Sequence, residues 1–270
     1  MDPLIRDSLS RFAPISLDQL NAKAAMLERL VNKYIIPATR LRPAFDAFRD
    51  LFDVLDIGGK RAFTYATRYY DDPDQHGYYD HHQGRRKRCK VRVRFYVDAG
   101  FSYLEVKLKD LRGSTVKKRL KVQNNLQELD ATCLAFINEC HINQYGVEFA
   151  HPLQPVVGMQ YERITLVARE GGERMTIDTQ LGFWTGNTEV QVAPDMFIVE
   201  TKSAKGNGIA DKILRGLHLH PTSRCSKYCV AMAALGEVRR HNRFLPAMRR
   251  LKLVAPATPL VERQRLAASA

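Results

Sequence analysis

The sequence predicts an α+β domain built around an antiparallel sheet. Segments in which apolar and charged residues alternate follow one another at residues 90–97, 101–109 and 115–122, and short connections that contain glycine separate them. Such connections are typical of β-hairpins. Segments with apolar residues at helical spacing flank these strands on both sides. No internal repeat or low-complexity linker divides the 270 residues, so one integrated domain with a large core is expected.

Apolar spacing and turn residues predict the remaining elements in order along the chain. They are a helical N-terminal segment (1–25), a strand (29–36) that Pro37 ends, a helix (38–54), a Gly-Gly turn (57–60), a strand (62–70), a polar turn and loop (71–89), a helix (125–145), three strands (160–168, 174–180 and 196–202), a turn (206–208), a helix (223–235) and a basic helical stretch (238–251). Runs of strands joined by hairpins, with separate helices, assign the α+β class.

The predicted strands carry positive charge on one face. The cations that share these faces are Lys90, Arg92 and Arg94, then Lys107 and Lys109, then Lys117, Arg119 and Lys121, with Arg163 and Lys202 on later strands. For any one strand, a solvated basic exterior is the more common explanation. Across several strands this explanation weakens, because like charges on paired strands destabilise a sheet. Arginine grips phosphate oxygens in pairs, so the face favours a phosphate-rich polyanion.

The charge balance and composition restrict the partners and the compartment. Lysines and arginines number 42 and acidic residues 29, a net charge of +13 that favours nucleic acid, anionic lipid or a phosphate-rich small molecule. No combined aromatic and basic RNA motif is present, so nucleic acid is not expected. No apolar run is long enough for a membrane span, and the N-terminus lacks the apolar core of a signal peptide. We therefore expect a cytoplasmic chain with no membrane span, and its five irregularly spaced cysteines agree with this.

Two acidic residues, Glu105 and Glu200, interrupt the cationic faces. They either balance charge within the cluster or hold Mg²⁺ or Mn²⁺ together with substrate phosphates. No Gly-x-x-x-x-Gly-Lys phosphate loop is present. A second set has residue types that suit zinc but lacks the compact spacing of a structural site, so ordinary packing is favoured for it; its members are His218, His220, Cys225 and Cys229.

Several segments resemble, in the same order, motifs of a known family. They are residues 64–74 (TYATRYYDDPD), 81–84 (HHQG), 90–94 (KVRVR), 104–107 (LEVK), 174–178 (RMTID), 199–202 (VETK) and 225–228 (CSKY). The family is the vacuolar transporter chaperone (VTC) domain, a polyphosphate polymerase domain of the triphosphate tunnel metalloenzyme, or CYTH-like, superfamily. The likeness runs from about residue 29 to residue 251. The chain resembles a bacterial-type, stand-alone version of this domain.

The resemblance implies a closed antiparallel β-barrel, the triphosphate tunnel fold, with a cationic lumen and helices packed outside. It divides the chain into an N-terminal helical arm (1–28), a tunnel domain (29–252) and a flexible C-terminal tail (253–270). The implied activity transfers the γ-phosphate of ATP to a growing inorganic polyphosphate chain with Mn²⁺ or Mg²⁺. ATP and polyphosphate or tripolyphosphate are the implied partners.

The resemblance also implies the site residues. Lys227, Arg92 and Arg94 would be catalytic, and Glu200 would bind the metal ion. The implied phosphate-binding residues are Arg29, Lys33, Lys90, Arg92, Arg94, Lys107, Lys117, Arg119, Arg163, Lys202 and Lys227. The wider superfamily begins with a Glu-x-Glu-x-Lys strand, which here reads Arg29-x-Val31-x-Lys33. This departure favours the polymerase branch over the cyclase and thiamine-triphosphatase branches.

Other functions are alternatives to polymerisation. Hydrolysis of tripolyphosphate or short polyphosphate would use the same tunnel, with water as the attacking group. A polyphosphate-binding module without catalysis is a further alternative, against which the presence of Glu200 and Lys227 argues. Phosphoryl transfer needs mainly positioning and electrostatic stabilisation, which a cationic tunnel with a divalent ion supplies.

Overall fold

The computed structural model describes residues 3–23, 30–109, 115–123 and 128–255. The strands in these ranges are β1 (Pro14–Ile15), β2 (Leu30–Pro37), β3 (Phe52–Leu55), β4 (Ala62–Asp71), β5 (Arg88–Tyr96), β6 (Phe101–Lys109), β7 (Thr115–Val122), β8 (Gln154–Ala168), β9 (Arg174–Thr185), β10 (Thr188–Val192), β11 (Met196–Ser203) and β12 (Leu253–Val254). The helices are α1 (Pro3–Ser10), α2 (Leu17–Lys23), α3 (Ala38–Phe48), α4 (His76–Gln83), α5 (Ala131–Tyr145), α6 (Ile209–Gly216), α7 (Lys227–Ala234) and α8 (Leu245–Leu251).

Eight of the strands form one continuous antiparallel path in the order β2-β11-β9-β8-β4-β5-β6-β7. β10 pairs with the second half of β9 and with β12, and β3 pairs with β8 and, in parallel, with β1. Along the hairpins β5–β6–β7, Arg92 lies opposite Glu105, which lies opposite Arg119. The register therefore places the predicted cationic residues side by side on one face.

The predicted α+β class and its antiparallel tunnel sheet are confirmed, but the barrel is not closed by hydrogen bonds. Within the described ranges no backbone pairing joins β7 to β2, the two ends of the path. Among the described residues the seam is therefore open, where a closed barrel was predicted. Lys33 on β2 and Lys117 on β7 lie on the inner face, where they pair with Glu200 and Glu105 on the neighbouring strands.

Four helices cover the outer face of the sheet, as predicted. Helices α1, α3 and α6 share one apolar cluster with outward residues such as Tyr34 on β2 and Phe197 on β11. Helix α5 packs its Cys133 and Ile137 on Leu104 and Val106 of β6. Burial of these outward residues leaves the alternate residues of the same strands to line the inner face.

Helix α7 lies against the inner face and covers its apolar part. Ile35 and Ile198 share that face with Lys33 and Glu200, and they belong to the cluster that contains α7. The inner face is thus apolar toward one end of the strands and charged toward the other. Lys227, the first residue of α7, lies at the border between the two parts.

An irregularity in β9 lets one strand serve both parts of the inner face. The pairing register of β8 with β9 shifts at residues 160–162, and Gln180 takes a left-handed conformation (φ 51°). Asp178, before the shift, lies at the charged part, and Phe183, after it, lies in the apolar cluster around α7. A β-bulge changes the side-chain alternation in this way.

Several elements differ from the sequence prediction. The helix predicted over 38–54 ends at Phe48, and the buried strand β3 follows because it pairs with β8. Helix α4 occupies part of the predicted loop 71–89, and α6 follows the predicted turn 206–208 directly. The N-terminal segment forms two short helices separated by β1, and β12 takes up the first two residues of the predicted tail. From residue 256 onward the tail lies outside the described residues, and no helix within them could span a membrane.

Candidate phosphate-binding site

The charged part of the inner face brings together most of the predicted phosphate-binding cations. Those that meet there are Lys33, Lys90, Arg92, Arg94, Lys107, Lys117, Arg163, Lys202 and Lys227. Arg119 shares the face but is exposed, and its guanidinium lies 4.9 Å from the ring centre of Tyr103. Arg29 lies outside the described residues.

Glu105 is the centre of one group of cations on β5–β7. Its side chain is 1% exposed, and Arg92 Nε donates to its Oε2 at 2.7 Å. Lys117 Nζ donates to Oε1 at 3.1 Å, and Arg94 Nη1 lies 3.7 Å from Oε2. Burial alone would raise the pKa of Glu105, but these three cations hold it well below its usual range. Glu105 is therefore ionised and holds its neighbours in place.

Arg92 links this group to α7 through aromatic residues. Its Nη1 donates to the Tyr69 hydroxyl oxygen at 2.7 Å, and the Tyr69 ring stacks on Tyr228 of α7 with centroids 4.8 Å apart. Tyr228 in turn donates to the Asp71 carboxylate at the end of β4 at 2.5 Å. The position of Arg92 is thus fixed from both sides, which lowers the entropy lost when it binds a ligand.

A second group contains two carboxylates, Asp178 and Glu200. Arg163 grips Asp178 through two hydrogen bonds of 2.6 and 2.7 Å. Lys227 Nζ lies 2.5 Å from Asp178 Oδ2 and 3.5 Å from Glu200 Oε1, and Lys33 donates to Glu200 at 2.9 Å. Burial opposes the ionised form of Glu200, yet Lys33 and Lys227 hold its pKa well below the usual range. The same carboxylates keep Lys227 protonated, because they raise its pKa despite its burial.

Lys90 and Lys107 lie between the two groups, and no carboxylate of the described residues is within ion-pair distance of either. Lys90 donates to Ser226 Oγ at 2.9 Å, at the start of α7. Surrounding protein and the charges of Lys33 and Lys90 lower the pKa of Lys107 to about 7. Its side chain stays accessible to water within the lumen. This is where the positive charge of the inner face is least compensated.

Buried polar atoms without a protein partner lie on the same face. The Nε of Arg94, a residue that is 7% exposed, has no partner, nor do the hydroxyls of Tyr161 and Thr176. A buried polar group without a partner is costly, so such atoms mark places that water or a ligand occupies. Together with Lys107, they are groups of the inner face that could bind phosphate oxygens.

Asp178 and Tyr69 are site residues that the sequence did not single out, whereas His81, in the 81–84 motif, was left open between a loop residue and a binding residue. Asp178 pairs with Arg163, and this pairing depends on the register of two strands. His81, on the unpredicted helix α4, is surrounded by protein and by Lys90 and Arg88, which lower its pKa to about 2. It is a neutral imidazole at physiological pH.

The residues present fit a divalent ion held by one protein carboxylate. Glu200 Oε1 contacts Lys33 and Lys227, whereas Oε2 has Lys202 as its one ion-pair partner among the described residues, at 4.0 Å. Mg²⁺ is commonly bound through one or two carboxylates plus substrate phosphates and water. Asp178, the other carboxylate nearby, is already paired on both oxygens. The alternative zinc set is not brought together in the described part of the chain, where Cys225 and Cys229 are buried in the core around α7.

The antiparallel sheet of this chain thus has a cationic inner face. The model of the VTC domain matches residues 28–236, and the chain belongs to this family. No curated protein sequence matches the chain.

Solved structures with a similar arrangement have low sequence identity. A candidate adenylate cyclase from Bacillus halodurans has a TM-score of 0.48 at 9% identity, covering 74% of this chain and 95% of that one. A candidate adenylyl cyclase from Hippeastrum with a dominant triphosphatase activity has a TM-score of 0.46 at 14% identity, covering 76% and 96%. The PH1012 protein from Pyrococcus horikoshii has a TM-score of 0.43 at 12% identity, covering 74% and 98%.

Proposed function

We propose that this chain is a polyphosphate polymerase that transfers the γ-phosphate of ATP to the end of an inorganic polyphosphate chain. The uncompensated charge of the inner face supports this. Among the described residues, nine cations meet there with three carboxylates, a surplus of six positive charges when all are ionised. A linear polyanion of repeating phosphates would neutralise this surplus along its length, with Lys90 and Lys107 as its first contacts.

The proposed reaction is an in-line displacement at the γ-phosphorus. A terminal oxygen of the polyphosphate chain forms a bond to that phosphorus while the bond to the β,γ-bridging oxygen breaks, and ADP leaves. No side chain has to act as nucleophile. Arg92 and Arg94 bind and orient the equatorial oxygens, and Lys227 stabilises the charge that develops. A Mn²⁺ or Mg²⁺ ion bound at Glu200 would neutralise charge on the β- and γ-phosphates.

The proposed reaction needs a compartment that supplies ATP. We propose a cytoplasmic location, with which the five free cysteines agree.

Incubation of the chain with ATP and Mn²⁺, followed by separate assays for long phosphate chains and for free phosphate, tests the activity. Chains that lengthen with equimolar ADP are expected. Release of phosphate from ATP or tripolyphosphate without chain growth would instead identify a hydrolase. If neither long chains nor free phosphate form, the tunnel is a binding module without catalysis.

Tripolyphosphate is expected to raise the melting temperature by about 5–10 °C. A ligand that binds only the native state adds about 2.7 kcal/mol at a hundredfold excess over its dissociation constant. Thermal melts should compare tripolyphosphate with sodium chloride at the same ionic strength and with double-stranded DNA. Equal shifts from tripolyphosphate and chloride, or a larger shift from DNA, would indicate that the basic face is a nucleic-acid-binding surface.

Tripolyphosphate affinity should fall as the pH rises above about 7. Lys107 has a pKa of about 7 in the free protein, and a bound phosphate raises it, so binding takes up a proton above that pH. The loss approaches tenfold per pH unit until Lys107 is deprotonated in the complex too. Lys107→Arg, whose guanidinium stays charged, should reduce the slope of log Kd against pH by about one proton.

The comparison of wild type with Lys107→Arg removes the contributions of other groups to the pH dependence of the affinity. The ionisation of the ligand and of Lys202, whose pKa is also about 7, is common to both proteins. Titration calorimetry between pH 6 and 9 measures both slopes. Identical slopes would show that Lys107 does not contact the phosphate chain.

A further inference from the structure

A cluster of metal-ligating side chains lies outside the tunnel site, where β4 ends and α4 begins. Asp72 follows β4, His76 is the first residue of α4, and His151 precedes β8. Each offers one ligand atom, and the three atoms lie within 4.8 Å of one another. His76 Nδ1 is 2.8 Å from Asp72 Oδ1, and His151 Nδ1 is 4.0 Å from Asp72 Oδ2. One carboxylate thus faces two imidazoles from different parts of the chain.

The turn before α4 explains part of this arrangement but not all of it. Asp72 Oδ1 accepts a hydrogen bond from the Asp74 backbone at 2.9 Å, an ordinary role for aspartate in a turn. The same turn also brings His76, which lies one helical turn later, next to the Asp72 carboxylate. It does not account for His151, which belongs to the segment after α5 and stacks its ring on His76 with centroids 4.3 Å apart.

The geometry suits an ion that is open to solvent on one side. The side chain of Asp72 is 4% exposed, whereas those of His76 and His151 are 42% and 43% exposed. The carboxylate therefore forms the floor of the cluster and the imidazoles its rim. Bonds of about 2.0–2.2 Å to a tetrahedral ion place ligand atoms about 3.3 Å apart. His151 Nδ1, now 4.0 Å from Asp72 Oδ2, would have to move closer to reach this spacing.

A second carboxylate lies near the cluster, although the whole chain carries +13. Asp80 lies one turn after His76 on the same face of α4, and its charge interacts with both histidines. Arg85 is the cation that pairs with Asp80, at 3.1 Å. Asp72 and Asp80 thus place two carboxylates beside the two histidines, and one of them is paired with Arg85.

We propose that Asp72, His76 and His151 bind a divalent transition-metal ion of the class that prefers imidazole, with Zn²⁺ as the probe. Two imidazoles and one carboxylate are a common donor set for Zn²⁺ and related ions, whereas Mg²⁺ and Ca²⁺ prefer oxygen ligands. The site is separate from the one at Glu200 and does not depend on the proposed polymerase activity. The bound ion ties the end of β4 and the start of α4 to the segment before β8.

The test uses the full chain after treatment with a chelator, without ATP or polyphosphate. Zn²⁺ affinity is measured by competition with a chromophoric chelator, and Co²⁺ is used to record ligand-field absorption. Wild type should bind one Zn²⁺ per chain at this site and gain thermal stability. His76→Ala and His151→Ala should each weaken binding by about tenfold or more, since loss of even an outer-shell partner costs that much.

His151→Ala is the decisive variant and His220→Ala is its matched control. His151 and His220 are both exposed, so neither substitution should prevent folding. Retained affinity in His220→Ala, with loss of affinity and of the Co²⁺ absorption in His151→Ala, supports the site. Wild type that binds no Zn²⁺, or equal affinity in the two variants, overturns it. Loss of Zn²⁺ affinity in His220→Ala alone also overturns the proposed site. That result would assign the ion to the exposed histidines after α6.

Discussion

Lys227→Ala is expected to lower the rate of phosphoryl transfer by about a hundredfold or more while the fold is retained. Lys227 is 9% exposed, and Asp178 and Glu200 keep it protonated, so it presents a fixed positive charge at neutral pH. A preorganised group that stabilises transition-state charge is worth about 10²–10³ in rate. The rate is measured from ATP with Mn²⁺ at saturating substrate, so that the effect on kcat separates from that on KM.

The fold is expected to survive this substitution. Asp178 keeps its paired hydrogen bonds to Arg163, and Glu200 keeps Lys33, so neither carboxylate is left without a cation. Lys212→Ala, on the exposed side of α6, is the matched control and should keep the wild-type rate. A wild-type rate in Lys227→Ala would show that this lysine only neutralises carboxylates. A raised KM with unchanged kcat would assign it to binding alone.

The strands of the cationic face were predictable because a period of two appears directly in the sequence. The predicted bounds of β6 and β7 coincide with the structure, and Lys107 and Lys117 lie opposite each other in register. The same reasoning gave the positions of Arg92 and Arg94. What it could not give is which cations have a carboxylate partner, because the partner of Arg163 comes from the register of β8 with β9.

The helices near the tunnel were harder to predict because their determinants are distant in sequence. Helix α4 begins where the Asp71 carboxylate accepts hydrogen bonds from Gly77 and Tyr78, and the polar composition of the segment favours a loop. Helix α7 was predicted, but its apolar residues do not reveal which face of the sheet they cover. Its place on the inner face follows from the apolar inward residues of β2 and β11, such as Ile35 and Ile198.

The three carboxylates explain how the free protein tolerates so many cations. Glu105, Asp178 and Glu200 each contact two or three cations, so they hold the lumen together without neutralising it. A polyanion that enters does not need to displace them, because Lys90 and Lys107 lack a carboxylate partner among the described residues. The carboxylates should therefore matter most for stability in the absence of ligand, and least when ligand is bound.

Glu105→Gln should accordingly lower the free energy of unfolding by about 2–4 kcal/mol in the absence of ligand. Removal of one partner from a buried ion pair typically costs about 3–5 kcal/mol. Here the cost is smaller, because the side chains of Arg92 and Lys117 are 21% and 47% exposed and remain partly hydrated. Urea unfolding of the free protein measures the loss. Glu148→Gln, at an exposed carboxylate before β8, should leave stability unchanged.

Tripolyphosphate should then stabilise Glu105→Gln more than wild type. The variant has one more uncompensated positive charge in the lumen, so it binds the polyanion more tightly and gains more by linkage. At saturating ligand the melting temperatures of the two proteins should approach each other, which a simple packing defect would not produce. Sodium chloride should narrow the gap only in part, since it screens the exposed ends of the cluster better than its buried centre. A gap that stays constant with tripolyphosphate would show that Glu105 contributes through packing and that its cations do not face the phosphate chain.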